Sequence, residues 1–198
     1  MKTSFEKFAG WGAVLAGISG FLYSISLIVL QSDLLSALFL MLGGLFSTAA
    51  LTALYQRLRE TDSGFAFLGF LLGLIGVLGA AIHGGYDLAN ALHPPASPNT
   101  GLPNAIDPRG LLTFGVSGLG LFILAWLMTQ TMRFPRGLAY IGYLSAILMI
   151  VLYLGRLIIL QATNLVIVIP ALLEGFIVNP IWYVWLGLTL MRDQSRSK

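Results

Sequence analysis

Apolar residues fall into six long runs, and the polar residues fall mostly between them. The runs cover about Phe8–Leu30, Leu34–Tyr55, Phe65–Leu92, Gly110–Thr131, Gly137–Leu160 and Leu165–Met191. An α-helix needs roughly 20 residues to cross the hydrocarbon core, and each run has that length. The pattern predicts an all-α, polytopic integral membrane protein. It is a bundle of six transmembrane helices forming one transmembrane domain over residues 1–198. The first run follows Lys2 and Lys7, as a signal peptide would. It is too long for such a segment, and a second span follows almost at once, so it reads as a retained first helix.

The gaps are short except one. Gln31–Asp33 and Gln161–Asn164 are turns at one face, and Gln56–Gly64 and Met132–Arg136 are turns at the other. The segment 93–109, HPPASPNTGLPNAIDPR, holds five of the eight prolines. Proline fixes φ and removes a backbone donor, so an extended outer loop is expected there, either a plain connector or a lid.

Composition agrees with the pattern. Hydrophobic residues make up 57% of the chain and charged ones 10%, where a soluble domain has about 25%. The basic residues set the orientation. Lys2, Lys7, Arg57, Arg59, Arg133, Arg136, Arg192, Arg196 and Lys198 all fall on one side of a six-span arrangement, with Arg109 opposite and Arg156 within a span. The positive-inside rule then places both termini in the cytoplasm. Trp11, Tyr55, Trp126, Tyr140, Trp182 and Trp185 lie near the same side, as an aromatic belt would. The net charge of +3 is a topology signal and needs no nucleic-acid partner. The absence of cysteine excludes disulfides, thiolate metal sites and cysteine nucleophiles.

In lipid, an ionisable residue inside a span is a functional candidate. Gly69, Gly73, Gly76 and Ala80 lie on one face of the third run, and 3.6 residues per turn continues that face to His83, Asp87 and Asn90. A small-residue face is where another helix packs. Ser117, Arg156 and Glu174 share the same outer half. The six residues His83, Asp87, Asn90, Ser117, Arg156 and Glu174 are therefore the expected ligand-binding set, lining an outward-facing polar pocket. A lone Arg at that depth costs about 2.5 kcal/mol or more, so Arg156 is expected to pair with Asp87 or Glu174. Pro170 and Pro180 flank Glu174 and free the carbonyls of Val166 and Phe176, which predicts a kinked or interrupted sixth helix. GISG at 17–20 recurs as GVSG at 115–118, which raises an inverted repeat of two three-helix halves.

Several chemistries can be weighed. Ser117, His83 and Asp87 are the parts of a nucleophilic hydrolase. GVSG in the fourth span also resembles the serine motif of rhomboid proteases, over those four residues alone. Rhomboids carry their histidine on the sixth span, where this chain has none, so membership is rejected. No catalytic residue is assigned. Metal binding would need His83, Asp87, Glu174 and perhaps His93, without an HxxxH pair, and no metal site is predicted. His83 and His93 lie about 15 Å apart along one helix, too far for shared haem ligation. No phosphate-binding loop is present, and no cofactor is expected.

The Gly-rich first span, the Leu-Gly-rich last span ending at Met191-Arg192 and the overall length resemble six-span bacterial inner-membrane proteins grouped as domains of unknown function. That resemblance implies the fold and no activity. The leading expectation is a protein that binds or moves a small or lipid-like ligand. The alternatives are an intramembrane hydrolase using Ser117 and His83, and an accessory subunit of a larger membrane complex. The expected partners are the lipid bilayer, a small hydrophobic or lipid ligand, and further copies of the chain or a membrane complex.

Overall fold

The computed structural model describes residues 4–94 and 109–192. The described residues are helical or in short turns, with no strand among them. Six helices are long and apolar enough to cross a membrane: α1 (Ser4–Val29), α2 (Asp33–Leu58), α3 (Ser63–Leu92), α4 (Arg109–Thr129), α5 (Arg136–Ile158) and α6 (Leu165–Met191). The starts of α2, α3 and α6 are set by side-chain caps. Ser32 accepts from the Leu35 N–H, Asp62 from Phe65 and Asn164 from Val166. The expected span bounds agree with these to within a few residues. The heart of the 93–109 loop lies outside the described residues. At its edge, His93 ends α3 and is exposed.

Each helix packs on its neighbours in the chain, and α6 closes back onto α1, so the bundle is a ring. Small residues bring the backbones together. On α3, Gly69 lies against Leu124, Gly73 against Gly120, Gly76 against Ser117 and His83 against Gly110. Each pair keeps one antiparallel register, and three of the four recur every seven residues. That is the spacing of a supercoiled helix pair. The seam expected from the α3 pattern is therefore real, and its partner is α4. Gly17 and Gly20 pack on α6, against Tyr183 and Asn179, whereas Gly115 and Gly118 pack on α5.

The ring order rules out the inverted repeat. An axis in the membrane plane would reverse the sense in which the second three helices run round the ring. They continue in the same sense as the first three. The two GxSG motifs are two separate uses of small residues at helix contacts.

The ring is filled at one end and hollow at the other. Leu54, Leu58, Leu127, Leu138, Leu186 and Leu190 are fully buried, and all lie in the half that carries the ends of α1 and α6. Trp182, 1% exposed, caps this plug. It was expected in the aromatic belt, but a residue inside the ring cannot meet headgroups. Trp11 and Tyr140 do face outward.

The plugged end is fastened by Arg57, which is buried. Its Nε donates to Glu6 Oε1 at 2.9 Å and its Nη2 to the Leu190 carbonyl at 3.3 Å, while its guanidinium lies over the Phe134 ring. Arg133 donates to the Arg57 carbonyl at 2.9 Å and pairs with Glu60. The Arg133 guanidinium holds the exposed Glu60 carboxyl below the usual range. Arg57 therefore ties α1, α2 and α6 together, in addition to adding positive charge on this side.

Removing one partner of a buried pair leaves a charge uncompensated, at about 3–5 kcal/mol where burial is complete. Glu6 is part exposed, so Glu6→Ala is expected to cost about 2 kcal/mol. The double variant Glu6→Leu/Arg57→Met removes both charges and should melt above the single variant. Thermal melts in detergent check this, and a double variant that melts below Glu6→Ala would refute it.

Candidate functional site

A cavity of about 450 Å³ occupies the hollow half of the ring and is walled by all six helices. It reaches the turn after α5, at Ala162, and its floor is Trp182. Its small wall residues come from positions where helices approach closely: Gly20 on α1, Gly43 and Ser47 on α2, Gly73 on α3. Glycine and serine draw the helices together but leave nothing to fill the axis. The lining is mostly apolar, with a few polar groups set into it. Those include Ser117 on α4, Arg156 on α5 and Glu174 and Asn179 on α6.

Glu174 owes its place to a π turn. Pro180 lacks an N–H, and α6 widens over Glu174–Val178 instead of breaking. The Asn179 N–H then bonds to the Glu174 carbonyl, five residues back. Such turns insert one residue and re-aim the side chains around them. The helix stays continuous, so the expected interruption is replaced by a bulge. Glu174 is 7% exposed. Its Oε1 accepts from the Ser145 hydroxyl at 2.6 Å. Its Oε2 is buried with no hydrogen-bond partner among the described residues, and the Asn179 amide is its nearest polar neighbour.

Arg156 sits one turn from the end of α5, near the cavity mouth. It makes no ion pair among the described residues, and its Nε is buried without a hydrogen-bond partner. The expected pairing with Asp87 or Glu174 is therefore absent. The reason differs for the two carboxylates. Glu174 lies about 10 Å deeper than Arg156, by rise per residue along α5 and α6. Asp87 is taken by His83, whose Nε2 is 3.3 Å from Asp87 Oδ2.

The expected set therefore divides. Ser117, Arg156 and Glu174 line the cavity. His83, Asp87 and Asn90 are not among its lining residues. The His83 and Asp87 side chains are 41% and 45% exposed, and the His83 ring rests on Gly110 as the last step of the α3–α4 ladder. Ser117 meets Gly76 seven residues further along that ladder, about 10 Å from the His83 level. The hydrolase pair is thus not assembled. No group of three or more His, Cys, Asp or Glu among the described residues could hold a metal.

Sequence reasoning missed Tyr23, Asn179 and Tyr183, which also line the cavity. Tyr23 lies in the field of both Asp87 and Arg156, and Tyr183 faces Ser47. Their signal was weak because Tyr and Asn are common in membrane helices and carry no formal charge. Gly20 could have pointed to Asn179, whose side-chain oxygen sits 2.8 Å from where a Gly20 Cβ would be.

The Ser145 hydroxyl holds the Glu174 carboxyl by a hydrogen bond of 2.6 Å. Ser145→Ala is expected to lower stability by about 1–3 kcal/mol, because the carboxyl then loses a buried partner. Ser145→Ala combined with Glu174→Leu should recover most of that loss. Melting curves that show the single variant unchanged would mean the bond holds nothing.

No protein-family model, no curated protein and no solved structure matches this chain.

Proposed function

We propose that the protein is an integral membrane protein that binds or moves a small or lipid-like ligand in the central cavity. The observation that carries this reading is a mostly apolar cavity of 450 Å³ holding an acid and a guanidinium that both lack a full set of partners. Small-molecule sites are concave, largely apolar, about 300–1,000 Å³ in volume, and marked by a few convergent polar groups. A purely structural network would satisfy its buried polar atoms within the protein. Glu174 Oε2 and Arg156 Nε have no hydrogen-bond partner among the described residues and belong to residues lining the cavity, whereas the likewise unpartnered Arg57 Nη1 lies in the plugged half.

In this reading the plugged end of the ring is cytoplasmic and the hollow end faces outward. The split of basic residues across the loops supports it. Reporter fusions are expected to place Lys198 in the cytoplasm and Pro98 outside. Finding both on the same side would overturn the orientation.

Occupancy is tested by filling the cavity. Ala171 is on its wall. Ala171→Phe should displace a bound molecule while changing the melting temperature by only a few degrees. Native mass spectrometry of protein purified in mild detergent reads the result. The reading fails if the original protein carries no added mass, or if both proteins carry the same one.

A further inference from the structure

Among the described residues, the ring has a gap in its wall. Helices α1 and α6 pack closely along Gly10, Gly17 and Gly20, and the last such contact is Ser24 against Gly175. Beyond that sill, the π turn Ile25–Val29 of α1 and the stretch Leu165–Leu173 of α6 do not pack closely on each other. The residues on the two lips are apolar. Leu27 and Ile28 on one side, and Val168 and Leu172 on the other, line the cavity. Leu27, Ile28 and Leu172 are also 45%, 41% and 40% exposed. Cavity-lining side chains that stay this exposed where two neighbouring helices do not pack closely mark an opening in the wall.

The contents of the cavity fit what the opening would admit. Apolar lips suit an acyl chain and disfavour a free ion. Arg156 near the mouth offers buried donor capacity and has no acidic partner among the described residues, which suits a phosphate. Glu174, deeper and with an oxygen unpartnered among the described residues, suits a hydrogen-bond donor carried beyond that phosphate. At 450 Å³ the cavity takes a head group and the first carbons of a chain, and the rest of the chain must lie in the gap.

We propose that the gap between α1 and α6 is a side portal for a phospholipid whose head group carries a hydrogen-bond donor, ethanolamine above all. The phosphate binds Arg156, the ammonium binds Glu174, and the acyl chains remain in the bilayer through the lips at Leu27 and Leu172. The inference rests on the ligand-binding reading above and names its ligand class and entry route.

The chain has no cysteine of its own, which makes the test direct. Leu27→Cys/Leu172→Cys can be bridged across the gap with bifunctional thiol reagents of graded length. Binding of phosphatidylethanolamine and phosphatidylcholine to delipidated protein is then measured by native mass spectrometry. Glycerophosphoethanolamine, the same head group without chains, is measured beside them. Unbridged protein is expected to bind phosphatidylethanolamine about 10-fold or more over phosphatidylcholine, the ratio one charge-assisted hydrogen bond gives. Bridging should abolish lipid loading and spare glycerophosphoethanolamine. Glu174→Leu should erase the preference for ethanolamine over choline without abolishing phosphatidylcholine binding. Arg156→Leu should weaken all three ligands, in protein whose melting temperature is checked. Lipid loading that survives bridging overturns the portal. Equal binding of the two lipids overturns the ethanolamine assignment. If lipids fail to load onto the unbridged protein but glycerophosphoethanolamine binds it, the portal falls and the cavity reading stands. If nothing binds, the cavity reading falls as well.

Discussion

A ring of six helices encloses an axis that no backbone occupies, and everything else in this molecule follows from how side chains deal with that space. Helices drawn together by glycine and serine meet their neighbours closely. Those same residues cannot reach the axis. Where leucines and Trp182 project inward, the ring is solid. Where Gly43, Ser47 and Gly73 take their places, it is hollow. Packing between helices and packing along the axis are therefore separate problems, solved at one end only.

The two ends also treat charge differently. At the solid end, Arg57 has Glu6, a carbonyl and an aromatic face around it. Its attraction to Glu6 acts where water is scarce, which offsets part of the cost of burial. At the hollow end, Glu174 and Arg156 are separated along the axis and each keeps an unmet group. An uncompensated charge in an apolar setting is expensive. Arg57 Nη1 also lacks a hydrogen-bond partner among the described residues, so an unmet group alone marks no site. What sets the hollow end apart is that its unmet groups belong to residues lining a cavity.

Much of this was legible in the sequence, and the rest failed for one recurrent reason. Periodicity of 3.6 residues fixes which residues share a face of a helix, so the Gly69–His83 seam was readable. It does not say which neighbour that face meets. His83 was placed correctly against another helix, but that helix is α4 at Gly110, away from the cavity. Depth along the membrane normal was readable only to the half of the bilayer, which grouped Glu174 with Arg156 although it lies about 10 Å deeper. Angle around the ring was not readable, and grouping by depth alone put Asp87 with Arg156. The π turn at Glu174–Val178 lies beyond any fixed period, since it inserts a residue whose effect depends on tertiary contacts. Arg57 reads as loop charge until Glu6, 51 residues earlier, is seen beside it.

The ring order has a consequence for how the chain is made. Five of the six seams join helices adjacent in sequence, so each can form as soon as its second helix leaves the ribosome. Such contacts have low sequence separation and form fast. The seam between α1 and α6 is different, because α1 must wait for α6 to be synthesised. Until then its glycine face, Gly10, Gly17 and Gly20, stands open to whatever is nearby. Nascent α1 is thus the segment most in need of a membrane chaperone or of a temporary lipid neighbour, and α6 is the helix that releases it.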